Sequence, residues 1–137
     1  MAEAVFAQMV VDEGLEGEIE TDSAGTGNWH AGQGAHRGTL DVLQRNDIPY
    51  DGRARQIRTA DMENYGYVIT MDSENLTNVR ALSLNNAHVV PLLSFAPNVG
   101  RTEVPDPYYD GGFDGVYEMV RAGCAGLLET IRTEHGL

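Results

Sequence analysis

Tyr67-Val-Ile-Thr-Met71 is an apolar run closed by Gly66 on one side and by Asp72-Ser73 on the other. A run of this length between turn formers predicts a strand buried on both faces, as in a parallel sheet. Ser73 then reads as the N-cap of a helix reaching about Leu84. A second apolar run, Val89 to Leu93, repeats the pattern. Upstream, Val5, Phe6, Met9 and Val10 place one apolar face on a helix from Met1 to about Val11, with Gly14 as its stop. Ile19 to Ala24 reads as a short strand. A second helix is predicted over Ala35 to Arg45, with Leu40 and Leu43 facing inward. Arg53 to Ile57 reads as another short strand and Asp61 to Asn64 as a helical turn. Downstream, a long Pro- and Gly-rich segment from Ser94 to Gly112 leads into a helix from about Asp114 to Glu134. Helices alternating with short apolar strands predict an α/β domain with a parallel sheet, and residues 1–137 read as a single domain.

The 137 residues suffice to bury about two-thirds of the unfolded surface. Net charge is -12, from 9 basic and 21 acidic residues. Such a chain repels nucleic acid and anionic membranes, so neither is an expected partner. It also repels a phosphate ester at long range, so an anion site would have to be built from local donors. No apolar run approaches the roughly 20 residues that span a bilayer. The single cysteine, Cys124, rules out an intramolecular disulfide and agrees with a cytoplasmic location.

Two stretches carry chemistry. In Asp106-Pro-Tyr-Tyr-Asp110, an acid sits beside two aromatic rings in a loop stiffened by prolines. Such an acid donates a proton to a leaving group while the rings grip an aromatic substrate. The plainer reading is a surface loop whose aspartate caps a turn. In Asp22-Ser-Ala-Gly-Thr-Gly-Asn-Trp-His30, small residues follow a strand and bring backbone N–H groups near an anion or another loop. His30 stands where a dinucleotide fingerprint needs its third glycine. Trp29 reads either as a substrate wall or as a half-buried anchor. The four histidines show no metal-ligand spacing. Cys124 lies in a helix among small residues, without neighbouring cations, and reads as a small buried hydrophobe.

Five blocks, in order and covering essentially the whole chain, resemble the low-molecular-weight protein tyrosine phosphatases. They are Met1-Ala-Glu-Ala-Val-Phe6, Asp22-Ser-Ala-Gly-Thr26, Gly52-Arg-Ala-Arg-Gln-Ile57, Tyr67-Val-Ile-Thr-Met-Asp72 with Asn75, and Asp106-Pro-Tyr-Tyr109. The resemblance implies a flavodoxin-like, three-layer α/β/α fold around a four-stranded parallel sheet. It implies hydrolysis of phosphotyrosine through a cysteinyl-phosphate, without metal or organic cofactor. By position it makes Asp106 the general acid. Trp29, Tyr108 and Tyr109 become pocket aromatics, and Ser23 a hydroxyl that braces the phosphate loop. Where some relatives place a bracing histidine, this chain has Gly52.

The same resemblance implies a strand and a C-x5-R-S phosphate loop immediately before Met1, and the 137 residues begin after them. An internal methionine of a longer chain or a truncated product would explain this start, and the first is the expectation because the rest reads as an intact enzyme. A chain lacking that nucleophile, arginine and nest of N–H donors is expected to be inactive as it stands. If the loop is restored, the expected partner is a phosphotyrosine protein or a small aryl phosphate. The gap in the sheet leads to one of two expected outcomes: the remaining strands close up, or two copies pair their exposed edges as a homodimer. The alternative function is a non-catalytic interaction or phospho-binding module, with Arg37, Arg53, Arg55 and Arg58 as the cations for a residual anion site. A nucleotide-binding or receiver domain of flavodoxin-like fold is disfavoured, because no strand carries a lysine.

Overall fold

The computed structural model describes residues 1–26, 37–50, 52, 55–82, 88–105 and 112–137. Seven elements follow in chain order: α1 (Ala2–Asp12), α2 (Arg37–Arg45), α3 (Thr59–Asn64), β1 (Val68–Thr70), α4 (Ser73–Arg80), β2 (Val89–Pro91) and α5 (Phe113–His135). Two short 3-10 turns, Leu92–Phe95 and Pro97–Val99, bridge β2 to the long segment ahead of α5.

β1 and β2 are parallel, in the register Val68 to Val89, Ile69 to Val90 and Thr70 to Pro91. Pro91 lacks an N–H, which a strand tolerates only where that position faces away from the ladder. Alternate residues of β1 enter different cores. Tyr67, Ile69 and Met71 pack against the large cluster built by α1 and α5, whereas Val68 packs against Met62, Val79 and Val89. The sheet is therefore covered on both faces, as the continuous apolar run around Val68 requires.

The large core is held by α5, a 23-residue helix that buries Val116, Val120, Cys124, Leu127, Leu128 and Ile131. It packs on Ala4, Val5, Phe6 and Val10 of α1 and on Leu92 and Leu93. Gly126 permits that contact: a Cβ there would collide with the Phe95 carbonyl oxygen. The helix stops at Gly136, whose φ of 66° only glycine adopts without strain.

Several sequence expectations shift. The helix after β1 is capped by Asp72, not Ser73; the Asp72 carboxylate accepts from the Asn75 N–H at 2.8 Å, and the helix ends at Arg80. Leu40 is 38% exposed, and α2 instead buries Thr39, Val42 and Leu43, the set one helical face brings together. Val89 to Leu93 is a strand only as far as Pro91, after which the chain tightens into a 3-10 turn. Neither Ile19–Ala24 nor the described part of 53–57 forms a ladder; one parallel bridge, Gly25 to Gln56, joins them. Among the described residues the ladder thus has two strands.

Nor do the remaining strands close up. β1 and the 19–24 strip line one cavity of about 940 Å³, together with Ala2 and Phe6 of α1 and Val120, Cys124 and Leu127 of α5. Val68 sends its N–H to the His88 carbonyl on the β2 side. Ladder groups alternate in direction along a parallel strand, so Ile69 points its N–H and C=O to the opposite edge, into this slot.

Gly126→Ala is expected to lower stability by about 1–3 kcal/mol, because the new methyl meets backbone that cannot yield. Gly115, also in α5, faces open space, so Gly115→Ala is expected to lose nothing. The urea midpoints of the two variants against the parent check both.

Candidate active site

The first turn of α1 is fastened to the 19–24 strip by one carboxylate. Glu3 Oε1 accepts from the Ser23 hydroxyl at 2.6 Å and from the Tyr50 hydroxyl at 2.9 Å. Burial and the bond to Glu3 push the Tyr50 phenol above its ordinary range. Tyr50 also explains Gly52: a Cβ at 52 would strike the Tyr50 ring and hydroxyl. The tyrosine therefore occupies the side-chain space over Gly52. Sequence reasoning found Ser23 but missed Glu3 and Tyr50 as its partners. Glu3 stands out in the sequence only as part of the Met1–Phe6 block, and Tyr50, beside Pro49, carries no periodic signal.

A second fastening lies beside it. Arg55 reaches Asp22 at 3.1 Å and Asp61 at 3.0 Å, and the Arg58 N–H donates to Asp61 at 2.8 Å. The guanidinium of Arg55 holds the buried Asp61 carboxyl below the usual range, and Asp61 in turn raises Arg55. The recess around them, about 590 Å³, is lined by Glu20, Asp22 and Asp61 against Arg55 and Arg58. An anion entering it meets three carboxylates and two guanidiniums, one already paired twice. This arrangement does not supply the residual anion site considered from sequence; Arg53 of that set lies outside the described residues.

At the far end of β1 the chain is stitched again. The Val104 N–H donates to the Met71 carbonyl at 2.8 Å, and the Ser73 N–H donates to Glu103 at 2.6 Å. Hydrogen bonds from Ser73 hold the Glu103 carboxyl below its ordinary range. These contacts bring the segment that leads into Asp106 to the carboxyl end of β1, where open α/β sheets bind their ligands. Trp29, Asp106, Tyr108 and Tyr109 lie outside the described residues. Of the site residues read from sequence, the structure thus places Ser23.

Cys124 is 1% exposed and its thiol approaches the Ala2 carbonyl at 3.8 Å. Burial pushes its pKa up to about 12. This is the reverse of what a thiolate nucleophile needs.

A family model, low molecular weight phosphotyrosine protein phosphatase, matches residues 1–136. The chain belongs to this family. It is 41% identical over 140 residues to the low molecular weight protein-tyrosine-phosphatase YfkJ of Bacillus subtilis, an alignment covering 100% of this chain and 90% of that one. It is 38% identical to PtpA of Staphylococcus haemolyticus, over 96% of this chain and 84% of the relative. The crystal structure of YfkJ superposes with a TM-score of 0.94 at 40% identity, covering 98% of this chain and 86% of the other. A protein tyrosine phosphatase of Entamoeba histolytica, crystallised with Hepes in the active site, superposes at 0.89 with 29% identity. The phosphatase family's flavodoxin-like α/β fold is therefore the fold of this chain, two-faced sheet included. No helix among the described residues is long and apolar enough to cross a membrane.

Two outcomes test the electrostatics of this site. A carboxyl with a depressed folded pKa contributes stability above its unfolded value, and that contribution is lost as pH falls through the folded one. Asp61→Asn is therefore expected to cost about 1.5–3 kcal/mol at pH 7, as for a hydrogen bond to a charged group. The difference from the parent is expected to shrink below about pH 4, which urea unfolding at several pH values reads. Alkylation of Cys124 by iodoacetamide at pH 8 is expected to be on the order of a thousandfold slower in the folded chain than in urea, since the thiolate fraction sets the rate. That folded-state rate should still be rising with pH at pH 10.

Proposed function

We propose that this chain is the scaffold of a protein tyrosine phosphatase that hydrolyses phosphotyrosine, or a small aryl phosphate, through a cysteinyl-phosphate. Asp106 serves as general acid and Trp29, Tyr108 and Tyr109 as pocket aromatics. Ser23 braces the phosphate loop. Residues 1–137 contain no C-x5-R-S motif, which in this reading supplies the nucleophile, the phosphate-binding arginine and the nest of N–H donors, and these residues alone are expected to give no turnover. The lone free Cys124 agrees with a cytoplasmic enzyme.

The observation that carries the reading is the convergence of Ser23 and Tyr50 on Glu3. It fixes the N-terminal turn of α1, the place where a helix presents N–H groups to an anion, within the fold shared with the phosphatases. Cys124 supports the second half, because a thiol with a pKa near 12 does not attack phosphorus at neutral pH.

The test is hydrolysis of p-nitrophenyl phosphate. The 137-residue chain and its Cys124→Ser and Asp106→Ala variants are all expected to stay at background. Turnover that Cys124→Ser abolishes would overturn the assignment of an absent nucleophile. With a strand and C-x5-R-S loop fused ahead of Met1, turnover is expected to appear, and Asp106→Ala is then expected to lower it about 10²–10⁴-fold. A fused chain that stays silent would instead point to the non-catalytic alternative.

A further inference from the structure

Glu103 is exposed, yet its carboxylate is engaged twice. It accepts from the Ser73 N–H at 2.6 Å, and the Ser73 hydroxyl adds a second bond. Ser73 is the first residue of α4, after the Asp72 cap. Asp72 serves the Asn75 N–H, so Glu103 takes one of the donors that the helix's own cap leaves over. The helix dipole favours a carboxylate at this end. The bond spans 30 residues, so it is a tertiary fastening and not part of a turn.

The next residue is held as well. Val104 is buried in the large core and sends its N–H to the Met71 carbonyl at 2.8 Å. Residues 103 and 104 are thus anchored together to the junction of β1 and α4. One residue, Pro105, separates this anchor from Asp106. The pyrrolidine ring locks one of its two backbone torsions, so a displacement of residues 103 and 104 passes to residue 106 with little slack. Proton transfer to a leaving group demands such control, because a misplacement of about 1 Å costs up to about a hundredfold in rate.

We propose that Glu103 is a positioning residue for the general acid: clasped on the first turn of α4, it fixes the stretch of chain that carries Asp106. The role is indirect, since Glu103 acts through Val104 and Pro105, and it rests on the phosphatase reading of Asp106. The competing account is a helix cap that stabilises α4 and does nothing else.

Two variants remove the clasp by different routes. Glu103→Ala deletes the acceptor. Ser73→Pro deletes the donor at the first helical position, where proline is favoured and where the extended Asp72 backbone suits a residue before proline. The second variant therefore keeps α4 even if the first unsettles the fold. The first readout needs no substrate. Amide hydrogen exchange at Val104 is expected to quicken about tenfold or more in both variants, as for a local opening, while Val68, bonded to His88, changes little. Glu103→Gln keeps an acceptor oxygen and should restore most of the protection. The 137-residue chain is used, or the fused chain described above if Val104 is unprotected in the shorter one. Exchange at Val104 that ignores both variants would overturn the proposal.

The second readout is kcat/KM of the fused chain. Tyrosine leaves as a phenol of pKa about 10 and needs the proton of the acid; dinitrophenol, far more acidic, leaves without it. Loss of the clasp is expected to lower kcat/KM for phosphotyrosine about tenfold, part of what a general acid contributes, and to spare dinitrophenyl phosphate. In an Asp106→Ala background the same variants should cost nothing further, because the effect runs through Asp106. Equal losses with both esters, or a loss that persists without Asp106, would make Glu103 a helix cap only and overturn the proposal. A fused chain silent toward every ester, with Val104 responding as described, would remove the phosphatase reading and the positioning role with it. Exchange at Val104 thus tells a failed clasp from a failed phosphatase.

Discussion

The constraint on which the structure rests is the two-sided burial of β1. A strand has a side-chain period of two, so Val68 and Ile69 cannot both serve the same core. Val68 commits α3 and α4 to one face through Met62 and Val79; Tyr67, Ile69 and Met71 commit α1 and α5 to the other. Once both faces are claimed, the sheet edges are the only places where backbone groups can be met from outside. The β2 side is closed by its ladder and by the turn through Leu92. The other side is the slot.

Electrostatics then decide what the surrounding loops can do. With 21 acidic residues against 9 basic ones, the chain cannot hold an anion by its overall field. Its described arginines near the slot are occupied: Arg55 is shared by Asp22 and Asp61, at 30% side-chain exposure. Their roles are mechanical. Arg55 ties the strip to α3 through Asp22 and Asp61, while Glu3 ties the strip to α1 through Ser23. Two fastenings, one centred on the Glu3 carboxylate and one on the Arg55 guanidinium, thus hold Asp22 and Ser23. An anion at this end of the sheet must draw on backbone N–H groups and on donors other than Arg55.

How much was legible in the sequence follows from which forces act locally. α1, α5 and β1 were readable to within a residue or two, because apolar period and a stop signal such as Gly14 are written in neighbouring residues. The inward face of α2 was misjudged at Leu40, since the sequence does not say which of two adjacent apolar stripes meets α5. Ile19–Ala24 has the composition of a strand but makes no ladder. Strand formation depends on a partner, which no local pattern contains. The family was legible from five ordered blocks, and one of them contains Ser23. Its bond to Glu3, 20 residues away, and the approach of Tyr50, 47 residues from Glu3, are products of tertiary packing.

Cys124 shows why residue type alone cannot assign a role. It is the chain's sole thiol, it lines the slot, and it belongs to a family whose chemistry runs through cysteine. Each of those facts invites it as a nucleophile. Its surroundings decide otherwise. A thiolate needs solvation, cations or converging N–H donors, and Cys124 is buried among core side chains, which raises its pKa more than the nearby amino terminus lowers it. Cys124 belongs to the core.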